Sequence, residues 1–335
     1  MQEPTYSALV VDKTPEGVTA SVRQLSAAEI PPNEVTVAVA YSDLNYKDAM
    51  AVSGRPGILR QYPMVPGIDF AGTVVASESP HWKPGEQVIA TGWGIGERTW
   101  GGLGQLARVK ADWLVPLPEG MTLEQAMGIG TAGFTAMLCL MALEDQGLTP
   151  ESANGREVVV TGAGGGVGGV AVVLLGRLGY NVTAVTGRPA LADYLKELGA
   201  CQVISRSDLP VNSARPLESQ RWAAGVDVVG GEILAAVLRQ VAYYGSVAMC
   251  GLAGAGTFTT SVLPFILRGV KLIGVESIDA PAERRRAAWR RLARELPPES
   301  LNRLTRVVSL AEVPRLAEEV LRGESRGRIV VDVGA

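Results

Sequence analysis

Val158-Val-Val-Thr161-Gly-Ala-Gly-Gly-Gly-Val-Gly-Gly169 decides the fold: a short β-branched run enters a glycine-rich turn, and an apolar stretch of helical length follows. Strand, glycine turn and helix in that order form the setting in which a dinucleotide pyrophosphate is held, because a Cβ on the turn would keep it from the N–H groups at the helix start. Gly164, Gly166 and Gly169 satisfy G-x-G-x-x-G, while Gly162, Gly165 and Gly168 share a three-residue spacing, so the register is open. Gly164, Gly165, Gly166 and Val167 are read as the residues nearest the phosphates.

Downstream of this turn, apolar segments keep the spacing of βαβ units. Strands are predicted at residues 181–186, 202–205, 226–229, 246–249 and 271–275, with helices at 166–178, 189–198 and 232–241. The pattern is that of an α/β doubly wound parallel sheet. Its second strand ends in Thr186-Gly187-Arg188. An NAD site wants an acidic residue there for the ribose 2′-hydroxyl, whereas a hydroxyl and a guanidinium suit a 2′-phosphate. Thr186, Gly187 and Arg188 therefore point to NADPH.

Upstream the texture changes. Residues 5–11, 18–24, 34–41, 71–76, 87–91 and 104–109 alternate between turn signals and predict a small antiparallel, barrel-like β domain. Thr122 opens an apolar helical run at 126–143. An arginine-rich helix is expected at 281–295, then a tail helix at 310–321 and a last strand at 328–333, which needs a sheet partner in the first domain. The expected division is 1–125 with 300–335, and 126–299.

Composition narrows the class. The formal net charge of −3 argues against nucleic acid or an anionic membrane as partner. Three scattered cysteines, Cys139, Cys201 and Cys250, make neither a disulfide framework nor a metal clip, which suits a cytoplasmic setting. Residues 1–10, with Glu3 and Pro4, lack a basic start followed by an apolar run, so no signal peptide is expected. The apolar stretch 167–175 is too short to cross a bilayer.

The chain resembles the zinc-free, quinone-oxidoreductase-like branch of the medium-chain dehydrogenase/reductase superfamily, which includes NADPH-dependent acrylyl-CoA reductases. The resemblance runs over nearly the whole chain. It rests on Leu44-Asn-Tyr-Lys-Asp48, Pro63-Met-Val-Pro-Gly-Ile-Asp-Phe-Ala-Gly-Thr73, Thr91-Gly-Trp-Gly94, Trp100-Gly-Gly-Leu103, Gly130-Thr-Ala-Gly-Phe-Thr-Ala-Met137, Ala142-Leu-Glu-Asp145, the glycine turn, Pro264-Phe-Ile-Leu-Arg268 and Gly327-Arg328. Gly164, where relatives often carry Ser, and Gly104-Gln105 depart from the pattern. The resemblance implies a Rossmann domain beside a GroES-like catalytic domain. Zinc enzymes of the superfamily carry a Cys and a Gly-His-Glu where this chain reads Leu44-Asn45 and Gly67-Ile68-Asp69, so no metal is expected. His81, the one histidine, falls in a turn and reads as a surface residue.

Without ligands for a Lewis acid, hydride addition to an electron-poor C=C fits best. The resemblance makes Tyr46 and Asn45 the catalytic candidates, Tyr46 either bonding the nicotinamide end or relaying a proton. Lys47 and Asp48 are read as an ion pair of that loop or as solvent-facing structure. By the same resemblance Thr131 lies toward the nicotinamide and Arg328 reaches the cofactor, Gly251 and Leu252 follow a parallel strand at its carboxyl end, where such folds place ligands, and Arg215 lies toward the adenine or in a surface ion pair. Cys250 reads as a packing residue. Arg55 with Arg60, or Arg284 to Arg286 with Arg290 and Arg291, are cationic groups for coenzyme A phosphates. Trp93 and Trp100 are candidates for the acyl pocket.

Acrylyl-CoA reduction is the leading expectation. Quinone or reactive-enone reduction is the alternative, and an NADPH-binding redox sensor the non-enzymatic one. In the superfamily the region 262–275 pairs sheet edges between subunits, which predicts a homodimer.

Overall fold

The computed structural model describes residues 5–335; residues 1–4, with Glu3 and Pro4 of the amino-terminal reading, lie outside it. The chain forms two compact units. The first comprises the described residues through Thr131 together with Ile278–Ala293 and Leu304–Ala335; the second comprises Ala132–Ser277 and Arg294–Arg303. These limits differ from the sequence expectation: residues 126–131 and 278–281 group with the first unit, 300–303 with the second, and most of the arginine-rich helix, Ala282–Glu295, with the first. The reason is Arg285, whose guanidinium is buried against Thr91 and Ile278.

The first unit is built on a seven-stranded sheet in which Val35–Asp43 pairs antiparallel with Asp69–Ser77, Leu106–Val109 and Arg328–Asp332. The tail strand thus finds its partner in this unit, and Thr305–Ser309, which the sequence pattern did not show, adds parallel to it. Alternation along Val35–Asp43 turns Val35, Val37 and Val39 inward, where they join Phe70, Val88, Ile95 and Leu103 in the core. A hairpin of Thr5–Thr14 and Gly17–Ser26 completes the β structure.

The second unit has six parallel strands in the order Gln202–Ser205, Asn181–Thr186, Glu157–Val160, Trp222–Asp227, Val241–Met249, Lys271–Gly274. Numbered along the chain this is 3-2-1-4-5-6, the doubly wound order that opens a ligand crevice beyond the carboxyl ends of its first and fourth strands. The fourth strand begins at Trp222 and stops at Asp227, earlier than expected, because the Asp227 carboxylate accepts from the N–H of Gly230 and turns the chain.

Among the described residues one helix, Leu123–Glu144, is long and apolar enough to cross a membrane by length and composition, but it is mostly buried within the protein. The expectation from 167–175 overlooked it. It is interrupted at Gly130, whose φ of 51° and ψ of −162° are not helical.

The helix Gly166–Arg177 sits hard against its turn: a Cβ on Gly168 would lie 2.7 Å from Ala163 Cα. Gly168→Ala should therefore lower unfolding free energy by about 1–3 kcal/mol in urea titrations, with overpacking as the cause.

Candidate active site

In the interior of the first unit three buried carboxyl groups, Asp43, Asp48 and Asp69, gather around the buried guanidinium of Arg328. Arg328 Nη2 pairs with Asp43 Oδ2, Nη1 donates to Asn45 Oδ1 at 2.9 Å, and Nε donates to the Gly128 carbonyl at 3.1 Å. Asn45 Nδ2 donates to Asp43 Oδ1 at 2.6 Å and to Asp69 Oδ2 at 2.9 Å. Thr131 saturates Asp69 from the other side, with N and Oγ1 each 2.6 Å from a carboxylate oxygen. The break at Gly130 makes this possible, since a Cβ there would run into Asp43, Asp69 and Arg328.

Asp48 is held apart, accepting from the N–H of Asn45 at 2.9 Å and of Ile68 at 2.8 Å. The expected Lys47–Asp48 ion pair does not form. Helical spacing sends the two side chains to different faces, and Lys47 pairs instead with Glu97 at 3.0 Å. Burial, reinforced by the negative charge of Asp69, raises the Asp48 carboxyl to about 7, against the pull of its two N–H donors. Burial and Asp69 likewise push Asp43 well above the usual carboxylate range despite Arg328.

The network aims one group outward. Asn45 caps the helix Tyr46–Val52, and Tyr46, its first residue, is 53% exposed. Asn45 has both ends of its amide committed, and Arg328 is 3% exposed with its donors taken within the unit. Both residues hold the Tyr46 loop in shape.

In the second unit the glycine turn leaves Val160 and enters the helix at Gly166 with Gly165 as cap and no acidic residue in its first turn, an anion-binding arrangement. Thr161 Oγ1 donates to Asp227 Oδ1 at 2.6 Å, tying the first strand's end to the fourth's. Arg188 Nη2 lies 3.4 Å from the Gly164 carbonyl, and its N–H donates to Thr186 Oγ1 at 3.1 Å. Gly164 permits this closure, since a Cβ would lie 3.0 Å from Arg188 Nη2. Partial burial pulls the Arg188 guanidinium down from its ordinary value.

A second cation stands beside it that the sequence reading missed: a Cβ on Gly187 would lie 2.9 Å from Arg206 Nε. The signal was the register of the neighbouring strand, which sets Ser205 opposite Thr186 and brings Arg206 level with Gly187. Gly251 follows the strand Val241–Met249, Leu252 is exposed, and Cys250 donates its N–H to the Asp227 carbonyl at 3.0 Å. Arg215 is exposed in an irregular segment with its N–H on Ser213 Oγ.

Residues 31–119 match the model of the alcohol dehydrogenase GroES-like domain, and residues 166–294 that of the zinc-binding dehydrogenase. The chain belongs to the medium-chain dehydrogenase/reductase superfamily, in its quinone-oxidoreductase-like branch. It is 53% identical to the acrylyl-CoA reductase AcuI of Ruegeria pomeroyi over 98% of this chain and 100% of that protein. It is 45% identical, over 97% and 98% of the two chains, to YhfP of Bacillus subtilis, whose name assigns it provisionally to the quinone oxidoreductases. The crystal structure of the yhdH oxidoreductase from Salmonella enterica in complex with NADP superposes with a TM-score of 0.94 at 50% identity, covering 98% of this chain and 99% of that one.

The zinc that one family description implies does not fit these residues. Leu44 and Ile68 offer no donor, Asp69 is saturated by Thr131 and Asn45, and among the described residues no three His, Cys, Asp or Glu are grouped to hold a metal. A dinucleotide does fit the second unit, where the turn lacks side chains at Gly164, Gly165 and Gly166 and two guanidiniums flank Gly187.

A carboxyl whose folded value is raised binds its proton more tightly in the native state, so its contribution is present below the unfolded value of about 4 and is lost as pH rises through the folded one. With Asp48 near 7, stability should decline between about pH 4 and pH 7. Urea midpoints should be lower at pH 7.5 than at pH 5, and Asp48→Asn should shrink that difference; an unchanged slope would contradict the assignment.

Proposed function

We propose that the chain is an NADPH-dependent, zinc-independent reductase of the C=C bond of acrylyl-CoA, forming propionyl-CoA. The carrying observation is the 53% identity to an acrylyl-CoA reductase along the full length of both chains, on a fold whose cofactor cradle bears two arginines and no carboxylate at the second strand's end. NADP in the Salmonella relative supports the cofactor.

The second unit is the nucleotide domain in this reading. Backbone N–H groups of Gly164, Gly165, Gly166 and Val167 meet the pyrophosphate, and Thr186, Gly187, Arg188 and Arg206 surround the 2′-phosphate. Arg215 serves the adenine side, and Gly251 and Leu252 the nicotinamide side. When bound, NADPH supplies the hydride that adds to the β-carbon. In the first unit Tyr46 presents the hydroxyl that bonds the reacting groups, while Asn45, Thr131 and Arg328 keep its loop rigid from within. The buried carboxyl groups are enclosed by these bonds, which suits them to positioning.

Quinone reduction is the second reading, favoured by the provisional name of the B. subtilis relative. The protein acts in the cytoplasm as a homodimer in our reading, without nucleic acid or membrane partners. Lys271–Gly274 is an edge strand, and Tyr244, Val262, Ile266 and Leu267 are exposed in the same unit, an apolar surface that a second copy would cover. Light scattering at micromolar concentration should give twice the 35.2 kDa chain mass; a monomer would reject the dimer.

Steady-state oxidation of NADPH should be fast with acrylyl-CoA and slow with a simple quinone, and the reverse order would move the protein to the second reading. Arg188→Ala and Arg206→Ala should each raise KM for NADPH about tenfold or more while leaving KM for NADH nearly unchanged. Tyr46→Phe should cut kcat by about tenfold to a hundredfold with little change in NADPH affinity; unaltered turnover would remove Tyr46 from the site.

A further inference from the structure

A cavity of about 730 Å³ opens within the first unit, and its wall joins tryptophan rings to cations. Trp93 and Trp113 lie nearly parallel, ring centroids 6.5 Å apart and planes 8° from parallel. Lys110 Nζ stands 5.5 Å from the Trp113 ring centre, Arg286 is the second lining cation, and His81 also lines the wall. Asp112 is the lining carboxylate, and Glu283 pairs with Arg286 from the same helix.

Trp93 is held there against several costs. Its φ is 58°, a left-handed conformation that a bulky side chain rarely adopts, and its indole N–H is buried without a hydrogen-bond partner. The surroundings over-determine the position. Trp93 N donates to the Ile278 carbonyl at 3.2 Å, and Arg98 reaches the Trp93 carbonyl at 3.4 Å. Arg285, buried, places its guanidinium 4.7 Å from the Trp93 ring centre while donating to Thr91 O at 2.9 Å and Thr91 Oγ1 at 2.8 Å. Thr91 in turn pairs in register with Asp69 of the carboxylate network. A strained aromatic locked two residues past the end of the Thr91 strand motivates a search for a ligand on this wall.

Planar rings beside clustered cations select a ligand that is flat, aromatic and polyanionic. We propose that this cavity is the subsite for the adenosine 3′-phosphate 5′-diphosphate end of the coenzyme A thioester, the adenine meeting the Trp93–Trp113 wall and the phosphates meeting Lys110 and Arg286. The assignment rests on the acyl-CoA reading above and extends it to residues outside the reacting centre. Arg285 is a positioning residue for Trp93.

The test compares acrylyl-CoA with acrylyl N-acetylcysteamine, which keeps the thioester and lacks the nucleotide. In the Lys110→Glu/Arg286→Glu protein, both positions being exposed, KM for acrylyl-CoA should rise about tenfold, and the preference in kcat/KM for the CoA thioester over the truncated one should fall by the same factor. Lys110→Arg/Arg286→Lys should retain the preference. An unchanged preference in the charge-reversed enzyme would overturn the subsite while leaving the reductase reading intact. If the wild-type enzyme does not oxidise NADPH with acrylyl-CoA, the reductase reading fails separately. Calorimetry with adenosine 3′,5′-bisphosphate on NADP-loaded protein then decides the cavity. Binding weakened about tenfold by the charge reversal supports it, and no binding, or equal binding by both proteins, overturns it.

Discussion

A single guanidinium surrounded by buried carboxyl groups is the constraint on which the first unit depends. Arg328 comes from the last strand, yet it ties Asp43 at the end of a central strand, Asn45 at a helix cap and the carbonyl of Gly128 in a third segment. Removing one partner of such a pair leaves a charge in the interior, which costs about 3–5 kcal/mol. The price of the arrangement is also visible in the raised Asp43 and Asp48 carboxyls, and it is met by a glycine at 130 that lets the network close. The return is a rigid loop with one exposed hydroxyl, Tyr46, at its tip. Where zinc enzymes of the superfamily set metal ligands, this chain sets hydrogen bonds.

The second unit solves a different problem, admitting a doubly charged pyrophosphate without side chains in the way. Thr161 and Asp227 staple the two strand ends at the point where the sheet order reverses, and that staple fixes the mouth of the glycine turn. Burial raises the Asp227 carboxyl, and the hydrogen bonds from Thr161 and the Gly230 and Val229 backbone oppose the shift. In the proposed reading cofactor choice is a matter of sign: Arg188 and Arg206 stand where a carboxylate would select the unphosphorylated ribose.

Much of this was legible in the residues. The glycine turn and the strand spacing gave the doubly wound sheet because continuous apolar runs at βαβ spacing and side-chain-free turns report backbone geometry directly. The positions of Tyr46, just past one strand, and of Thr186 and Arg188, at the end of another, could be read in the same way. Other features were not readable because they arise from distant segments meeting. Asp48 looked like the partner of Lys47 next to it, and only the fold shows it buried under Ile68 with Lys47 turned to Glu97. Arg206 reaches Gly187 through parallel register across 19 positions of sequence, and Arg285, in a run read as cationic groups for coenzyme A phosphates, turns inward to Thr91. Arg328 read as a cofactor contact by resemblance of the Gly327-Arg328 turn, and its depth in the carboxyl network depends on segments 285 residues apart meeting.

The account requires that a hydride from NADPH end on the β-carbon of an acyl thioester and a proton on its α-carbon. The most direct measurement is the fate of deuterium when acrylyl-CoA is reduced with NADPH labelled at the transferred position of the nicotinamide, read by mass spectrometry and NMR of the product. Propionyl-CoA carrying one deuterium on its terminal methyl carbon is the predicted result. Absence of propionyl-CoA, or a product with no deuterium at that carbon, would contradict it.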